Sequence, residues 1–272
     1  MTFLGTFAFL VGASVGSFLN VCISRWPAEL SVVRPRSRCP RCERAIAWYD
    51  NIPLLSWVLL RAKCRGCGLP ISAQYPFVEL LVALLWLAAM LAFGPTLTML
   101  RVAVGTTILL GIAATDLQHY VIPDGFTVTG FLFAMAMPIV AIFVGDQGPF
   151  AGPWDALIGA CVGAGIIAIV GWLGEVALGK EAMGQGDVTL MAFVGAMVGP
   201  GRALLTVFVA ALIGTVVFLA LVLPVGMLRA RAKGVPFEAP LVPFGVFLAP
   251  AGALTLLWGD PLIDWYLATL TS

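Results

Sequence analysis

The chain has 272 residues, of which 61% are hydrophobic and only 11% charged, and its formal net charge is +1; the mean hydropathy is +1.02. That profile excludes an ordinary soluble domain and gives no ground for nucleic-acid binding, since membrane topology accounts for the basic residues. It predicts an all-α polytopic membrane protein with about eight transmembrane helices, near 3–23, 77–93, 99–115, 126–144, 155–174, 187–199, 202–225 and 244–266.

The first run, 3–23, has no basic segment before it, and its positive charge follows the apolar stretch. It therefore reads as a retained helix and not as a cleaved signal. Nine of the 15 lysines and arginines then fall within 24–76. Lys180 lies before the sixth span, and Arg229, Arg231 and Lys233 lie in the loop before the eighth. An eight-span arrangement puts these basic residues on one side and only Arg101 and Arg202 on the other. The positive-inside bias makes the first side the cytoplasm and places both termini outside it.

The 24–76 loop contains Cys39-Pro40-Arg41-Cys42 and Cys64-Arg65-Gly66-Cys67. Each CxxC can turn as a knuckle, and two knuckles supply four thiolates to a tetrahedral zinc ion. Two disulfides or four free thiols are the alternatives, and the disulfides are disfavoured because a cytoplasmic loop is kept reduced. With four thiolates no position stays open for water, so the predicted zinc is structural, and it supplies folding energy to a loop too short to build a core. Trp48, Pro53, Leu54 and Trp57 can pack on the knuckles or on the membrane surface. Cys22 and Cys161, in apolar spans, are expected to be small core residues.

Two aspartates stand at span boundaries. The third span runs inward and ends near Asp116, and the sixth starts at Asp187 in Gly184-Gln185-Gly186-Asp187, so both reach one membrane face. An acid in such a place is costly unless it is paired, solvated or working. Two carboxylates held close cannot both ionise cheaply. The charged one can draw a proton from a water that attacks a peptide carbonyl, and the protonated one can donate to the oxyanion. Gly184 and Gly186 permit close approach of a substrate strand. Taken alone, Asp187 reads more readily as a helix N-cap after a flexible loop; the matching position of Asp116 favours the dyad.

Other acids carry weaker signals. Asp124, in Ile122-Pro123-Asp124-Gly125, reads as a turn and cap before the fourth span. Glu79 and Glu175 can bind solvent, pair with arginines or line a substrate path, and Glu181, six residues before Asp187, can modulate it or stand equally as a solvated loop acid. His119, the single histidine, has no serine or cysteine arranged to use it. Gly199-Pro200-Gly201 predicts a tight reversal between the sixth and seventh spans.

These motifs, in order, resemble the bacterial type IV prepilin peptidases (prepilin leader peptidase/N-methyltransferases), which are intramembrane aspartyl proteases of the GxGD type. The likeness runs from Gly16-Ser17-Phe18-Leu19-Asn20-Val21, with Arg25 and Pro27, through the paired CxxC loop. It continues with Asp116 to Ile122-Pro123-Asp124, then Glu181-Ala182-Met183-Gly184-Gln185-Gly186-Asp187, and closes with Val242-Pro243-Phe244-Gly245. The resemblance implies removal of a basic leader from type IV prepilins or type II secretion pseudopilins at the cytoplasmic face of the inner membrane. The cut falls after a glycine, and Asp116 and Asp187 are the catalytic pair. It further implies N-methylation of the new terminus with S-adenosylmethionine, although no glycine-rich strand-to-helix loop marks a cofactor site.

In this reading residues 1–23 are the first membrane helix, 24–76 the zinc-binding loop and 77–272 the peptidase domain. A helical substrate should enter laterally through membrane lipid, past small residues such as Gly159 to Gly165. Glu29, Glu43, Asp50 and Glu79 are the acids available to its basic leader. An ion-coupled transporter is the main alternative, because carriers also hold intramembrane carboxylates. The chain shows no internal repeat, however, and both acids lie near one face. A non-catalytic assembly factor leaves the aspartates without a role.

Overall fold

Inside a bilayer each backbone N–H and C=O must be satisfied within its own segment, and the apolar runs accordingly fold as helices. The computed structural model describes residues 2–145, 148, 152–179, 183–234, 236–237 and 242–271. Its helices are α1 (Thr2–Arg25), α2 (Leu55–Leu59), α3 (Gln74–Phe93), α4 (Leu97–His119), α5 (Asp124–Val144), α6 (Pro153–Leu178), α7 (Gln185–Val198), α8 (Pro200–Val217), α9 (Leu223–Lys233) and α10 (Gly245–Thr271). Among the described residues there is no strand, only two isolated bridges, Arg38 with Ala45 and Lys63 with Pro70.

Among the described residues seven helices are long and apolar enough to cross a membrane, with α8 and α9 counting as one. The expected sixth span is α7, apolar but only 14 residues long. At about 1.5 Å per residue it reaches roughly 21 Å, short of a hydrocarbon core of about 30 Å.

The chain packs as two compact units, Met1–Gly111 and Ile112–Ser272, with the boundary inside α4. In the first, α1 lies along α3, brought close by two glycines. A Cβ on Gly12 would stand 2.8 Å from Trp86 Cβ, and one on Gly16 would stand 2.8 Å from Glu79 Cα. Trp86 Nε1 donates to Thr107 Oγ1 at 3.1 Å, tying α3 to α4. Asn20, buried in α1, donates to the Tyr75 carbonyl at 3.1 Å.

In the second unit α7 is the centre. It packs against α5, α6, α8 and α10, and its residues from Phe193 to Val198 are all buried. This explains how so short a helix is accommodated, since its C-terminal half, Phe193 to Val198, meets protein and not lipid tails. Gly159 and Gly163 of α6 let the α7 backbone come close: a Cβ on Gly159 would strike the Gly195 carbonyl, and one on Gly163 the Met191 carbonyl. These glycines, expected to flank a lateral entrance, are thus occupied by α7; only Gly165 in that stretch faces open space.

Two other expectations change. Arg229, Arg231 and Lys233 sit on α9, a helical extension, where a loop was predicted. The helix widens at Phe218–Val222 into a π turn, with Leu223 N–H bonding to the Phe218 carbonyl. Pro224 follows directly and has no N–H for the regular ladder, so a local register change here has a clear cause. Cys22 is buried as expected, but Cys161 is exposed on α6; one face of a helix wrapped around α7 is left outward, and Cys161 falls on it. Between α7 and α8 the predicted reversal is present, with Gly199 at φ 83°.

Candidate active site and metal centre

Asp116 and Asp187 are both in the second unit and both nearly buried, 5% and 8% exposed. Asp116 comes from the last turns of α4, and Asp187 from the first turn of α7. The two lie near enough for the charge of Asp116 to act on Asp187. Asp187 is not the helix N-cap. Gly184 holds that position, no side chain caps the helix, and the Asp187 N–H donates to the Gly184 carbonyl at 3.1 Å.

Asp116 is fixed by a distant piece of chain. Its Oδ2 accepts the N–H of Val246, in the first turn of α10, at 3.0 Å. Free amides at a helix start favour a negative group, so the carboxylate also closes the end of α10. Gly245 has to be glycine here, because a Cβ would come within 2.7 Å of Asp116 Oδ2 and 2.8 Å of Ile122 Cδ1. Ile122 also fills the space over Gly186, where a Cβ would lie 2.9 Å from Ile122 Cβ. One isoleucine therefore touches the starts of α7 and α10. Gly184 sits in extended backbone, φ −78°, and a Cβ there would make only an ordinary contact.

Neither Ile122 nor the Val246 amide had a role in the sequence reading. Both lie in or beside motifs that carry the resemblance, but side-chain chemistry gives no sign of a backbone donor. Asp124 is the first residue of α5, exposed, and no side chain caps that helix. His119 and Glu175 are exposed at the ends of α4 and α6. Lys180 and Glu181 lie outside the described residues.

In the first unit the four cysteines converge. The Sγ atoms of Cys39, Cys42, Cys64 and Cys67 all lie within 4.8 Å of one another, and those of Cys39 and Cys67 are 3.7 Å apart. Zinc–sulfur bonds of about 2.3 Å in a tetrahedron require sulfurs just under 4 Å apart, so the cluster fits a metal ion of that kind.

The two knuckles are built alike. Cys39 N–H bonds to Arg44 O, Glu43 N–H to Cys39 O and Ile46 N–H to Ser37 O. In the same register Cys64 N–H bonds to Leu69 O, Gly68 N–H to Cys64 O and Ile71 N–H to Ala62 O. Glu43 and Gly68 occupy matching places, and both have positive φ. Knuckle amides point at sulfur, as in the Gly66 N–H to Cys64 Sγ contact. Backbone N–H groups of Cys42 and then Arg41 pull the Cys39 thiol down to about 6. At Cys67 the Leu69 N–H works downward, yet burial and three neighbouring thiols prevail and push it up to about 11. Without a cation the four cannot all be thiolates, and a divalent ion removes that conflict.

The acids proposed for a basic leader divide. Glu79 is buried, and its Oε2 accepts the Leu54 N–H at 2.8 Å, pinning a residue at φ 62°. Asp50 is paired bidentately with Arg65, the shortest contact 2.6 Å. The Arg65 hydrogen bond holds the Asp50 carboxyl below its usual range. Glu29 and Glu43 are left exposed. Trp57 donates to the Ile71 carbonyl at 3.2 Å, bracing the second knuckle, while Trp48 is 74% exposed.

Comparison with known proteins gives consistent matches. Residues 10–93 match the family described as bacterial peptidase A24 N-terminal domain, and residues 103–219 match the type IV leader peptidase family. A prepilin leader peptidase/N-methyltransferase of Myxococcus xanthus is 42% identical over 258 residues, covering 93% of this chain and 71% of that protein. Proteins of the same name from Aeromonas hydrophila and Pseudomonas aeruginosa are 36% and 34% identical, covering 92% and 91% of their own lengths. No solved structure matches the chain.

Proposed function

This chain belongs to the type IV leader peptidase family, the prepilin leader peptidase/N-methyltransferases, and we propose that it cuts the leader from type IV prepilins or type II secretion pseudopilins with an Asp116–Asp187 dyad. The observation that carries the mechanism is the arrival of two nearly buried carboxylates at helix ends in one unit, within electrostatic reach of each other. The pair shares one proton, because two adjacent charges in a dry site are costly. The ionised carboxylate takes a proton from water as its oxygen attacks the peptide carbonyl, and the protonated partner gives its own proton to the carbonyl oxygen; the first carboxyl then passes the water proton to the departing amine, and the second recovers its proton as the C–N bond breaks and the carbonyl re-forms. Val246 holds Asp116 in position, and Gly186, Gly245 and Ile122 keep the surrounding backbone tight.

The peptidase portion is 77–272, and residues 24–76 are a loop organised by structural zinc on Cys39, Cys42, Cys64 and Cys67. The basic residues orient that loop and both acids toward the cytoplasm, in a bacterial inner membrane. The protein is a peptidase by family, which sets the ion-coupled carrier aside. Methylation of the freed N-terminus follows the two-part name of its relatives.

The test is mass spectrometry of a prepilin incubated with the purified protein and S-adenosylmethionine, beside Asp116→Asn and Asp187→Asn. Wild type should remove the leader, and each variant should slow cleavage by about 10²–10⁴-fold, the usual worth of a general acid or base. Cleavage at the wild-type rate by either variant rules out the dyad. A methyl group on the mature product supports the second activity, and its absence rejects that half alone.

A further inference from the structure

We propose that the apolar face of α2 is seated in the phospholipid leaflet, which makes the cysteine loop a membrane-surface module. The observation that carries this is an inverted helix. Leu55, Val58 and Leu59, at the i, i+3, i+4 spacing of one helical face, are 50%, 65% and 70% exposed, while Ser56 on the other side is buried. A helix at a water-bathed surface turns its apolar stripe toward the protein; this one turns it outward.

The depth of α2 is set by a bond to a membrane helix. Leu54, the residue before it, donates its N–H to Glu79 Oε2 at 2.8 Å. Glu79 is the sixth residue of α3, so at about 1.5 Å per residue it lies roughly 7.5 Å along the helix from Gln74. The 20 residues of α3 are just enough for a hydrocarbon core of about 30 Å. All of α3 is therefore needed to cross, and a residue held beside Glu79 is below the membrane surface. Interfacial helices lie about 5–10 Å into the boundary of headgroups and acyl chains, and α2 falls at that level. Phe77 and Leu80, on either side of Glu79 in sequence, are exposed as well, so α3 presents apolar surface at the same height.

Left-handed residues mark both ends of this dip: Leu54 at φ 62°, then Arg61 and Ala62 at φ 50° and 57°. Non-glycine residues seldom take that conformation, and here it turns the backbone into α2 and out again. Arg61 and Lys63 follow at once and are exposed. Among the described residues neither is in an ion pair; the pairs are Arg65 with Asp50 and Arg202 with Asp260. Long basic side chains in such a place reach back to the headgroups, where phosphate is their counterion. The aromatic rings agree. Trp48 and Tyr49 meet edge to face at 5.7 Å, and the Tyr49 carbonyl accepts the Ser56 hydroxyl at 3.1 Å, fastening the pair to α2. Tryptophan and tyrosine are the residues enriched at this boundary. A peptide with a basic leader fits the face poorly, because Arg61 and Lys63 repel it, and the Glu79 bond holds the face against a span that lipid surrounds.

The experiment uses the full chain in nanodiscs of phosphatidylethanolamine and phosphatidylglycerol, with a fluorescent amino acid in place of Leu59. A second preparation carries it in place of Ala45, exposed in the first knuckle, as the water-side control; melting temperature and metal content verify the fold. Position 59 should lose most of its emission to a phospholipid bearing a doxyl group near the headgroup and little to iodide, and position 45 should do the reverse. Glu79→Ala should move position 59 toward iodide, whereas Glu79→Gln, whose amide oxygen still accepts the Leu54 N–H, should not. A photoactivatable phospholipid gives a second readout on the unaltered chain, with label expected on residues 55–59. Iodide quenching at 59 as strong as at 45, or no label on 55–59 while α5 is labelled, overturns the proposal. It also fails if Glu79→Ala leaves the quenching unchanged, since the depth is then not set by that bond. Shielding of position 59 from both quenchers that is relieved by dilution in lipid means that a second copy covers the face. Loss of lipid quenching when a prepilin is added means that substrate covers it. Either result rejects the lipid seat.

Discussion

In the cysteine loop, order comes from short backbone hydrogen bonds and a cluster of sulfurs; around α7 it comes from helices pressed together where side chains are missing. The loop has few buried residues, Cys39 and Ser56 being the buried members of 26–72. The α7 unit buries most of a helix, with Gly159, Gly163 and Gly195 letting the α6 and α7 backbones meet directly. A segment that cannot bury enough apolar surface needs another source of free energy, and a metal is the compact one. A segment in lipid gains little from hydrophobicity between its helices and depends on close packing instead. One chain thus carries two kinds of stability, and they should fail separately.

Metal removal should separate them most. On the structural-zinc reading proposed above, an ion of the kind that contributes an apparent ~10–16 kcal/mol in zinc-finger peptides holds the loop, so stripping it, or Cys39→Ser with Cys64→Ser, should unfold residues 26–72. Limited proteolysis would show cuts there, with the helices from α5 onward still protected. Equal loss of protection in both units would erase the distinction.

The converse change is Gly195→Ala. Its methyl group meets the Gly159 carbonyl, and overpacking costs about 1–3 kcal/mol or more. A lower melting temperature in detergent is expected with zinc content unchanged, whereas Gly165→Ala, facing open space, should melt as wild type. A smaller and local effect is expected of Glu79→Ala. It strands the Leu54 N–H, at about 1–3 kcal/mol for an unsatisfied buried donor, and should speed amide exchange in 52–56 while leaving α7 protected.

The smallest effect concerns Asp50. Its folded pKa is depressed by Arg65, so the stabilisation is complete above the ordinary carboxylate range and is lost as pH falls through the depressed value. Proteolytic protection of the loop should fall slightly with acid in wild type and less in Asp50→Asn, while protection of α7 should stay level over that step.

Much of this was legible in the sequence because the signals were chemical. The seven long helices among the described residues follow from apolar length, the four-cysteine cluster from two CxxC spacings, and the resemblance from motifs in order. What stayed hidden was geometric. Nothing in Gly159 or Gly163 says whether a small residue faces a substrate path or another helix; only the position of α7 decides it. Glu79 could be read as solvated, paired with an arginine or facing the substrate because its actual partner is a backbone amide, and amides leave no trace in composition. The Asp116 support was hidden for the same reason, and the helical extension of α9 was obscured by its basic residues.

The hydrogen bond from Val246 to Asp116 joins residues 130 positions apart, and this sets a timetable for biosynthesis. At about 5–20 residues per second, a ribosome finishes the α10 start on the order of ten seconds after Asp116 has been made. Until then the aspartate lacks the amide that positions it. A truncated or stalled chain stopping short of α10 therefore carries both acids without this hydrogen bond, and Asp116 gains that support only when the last helix is begun.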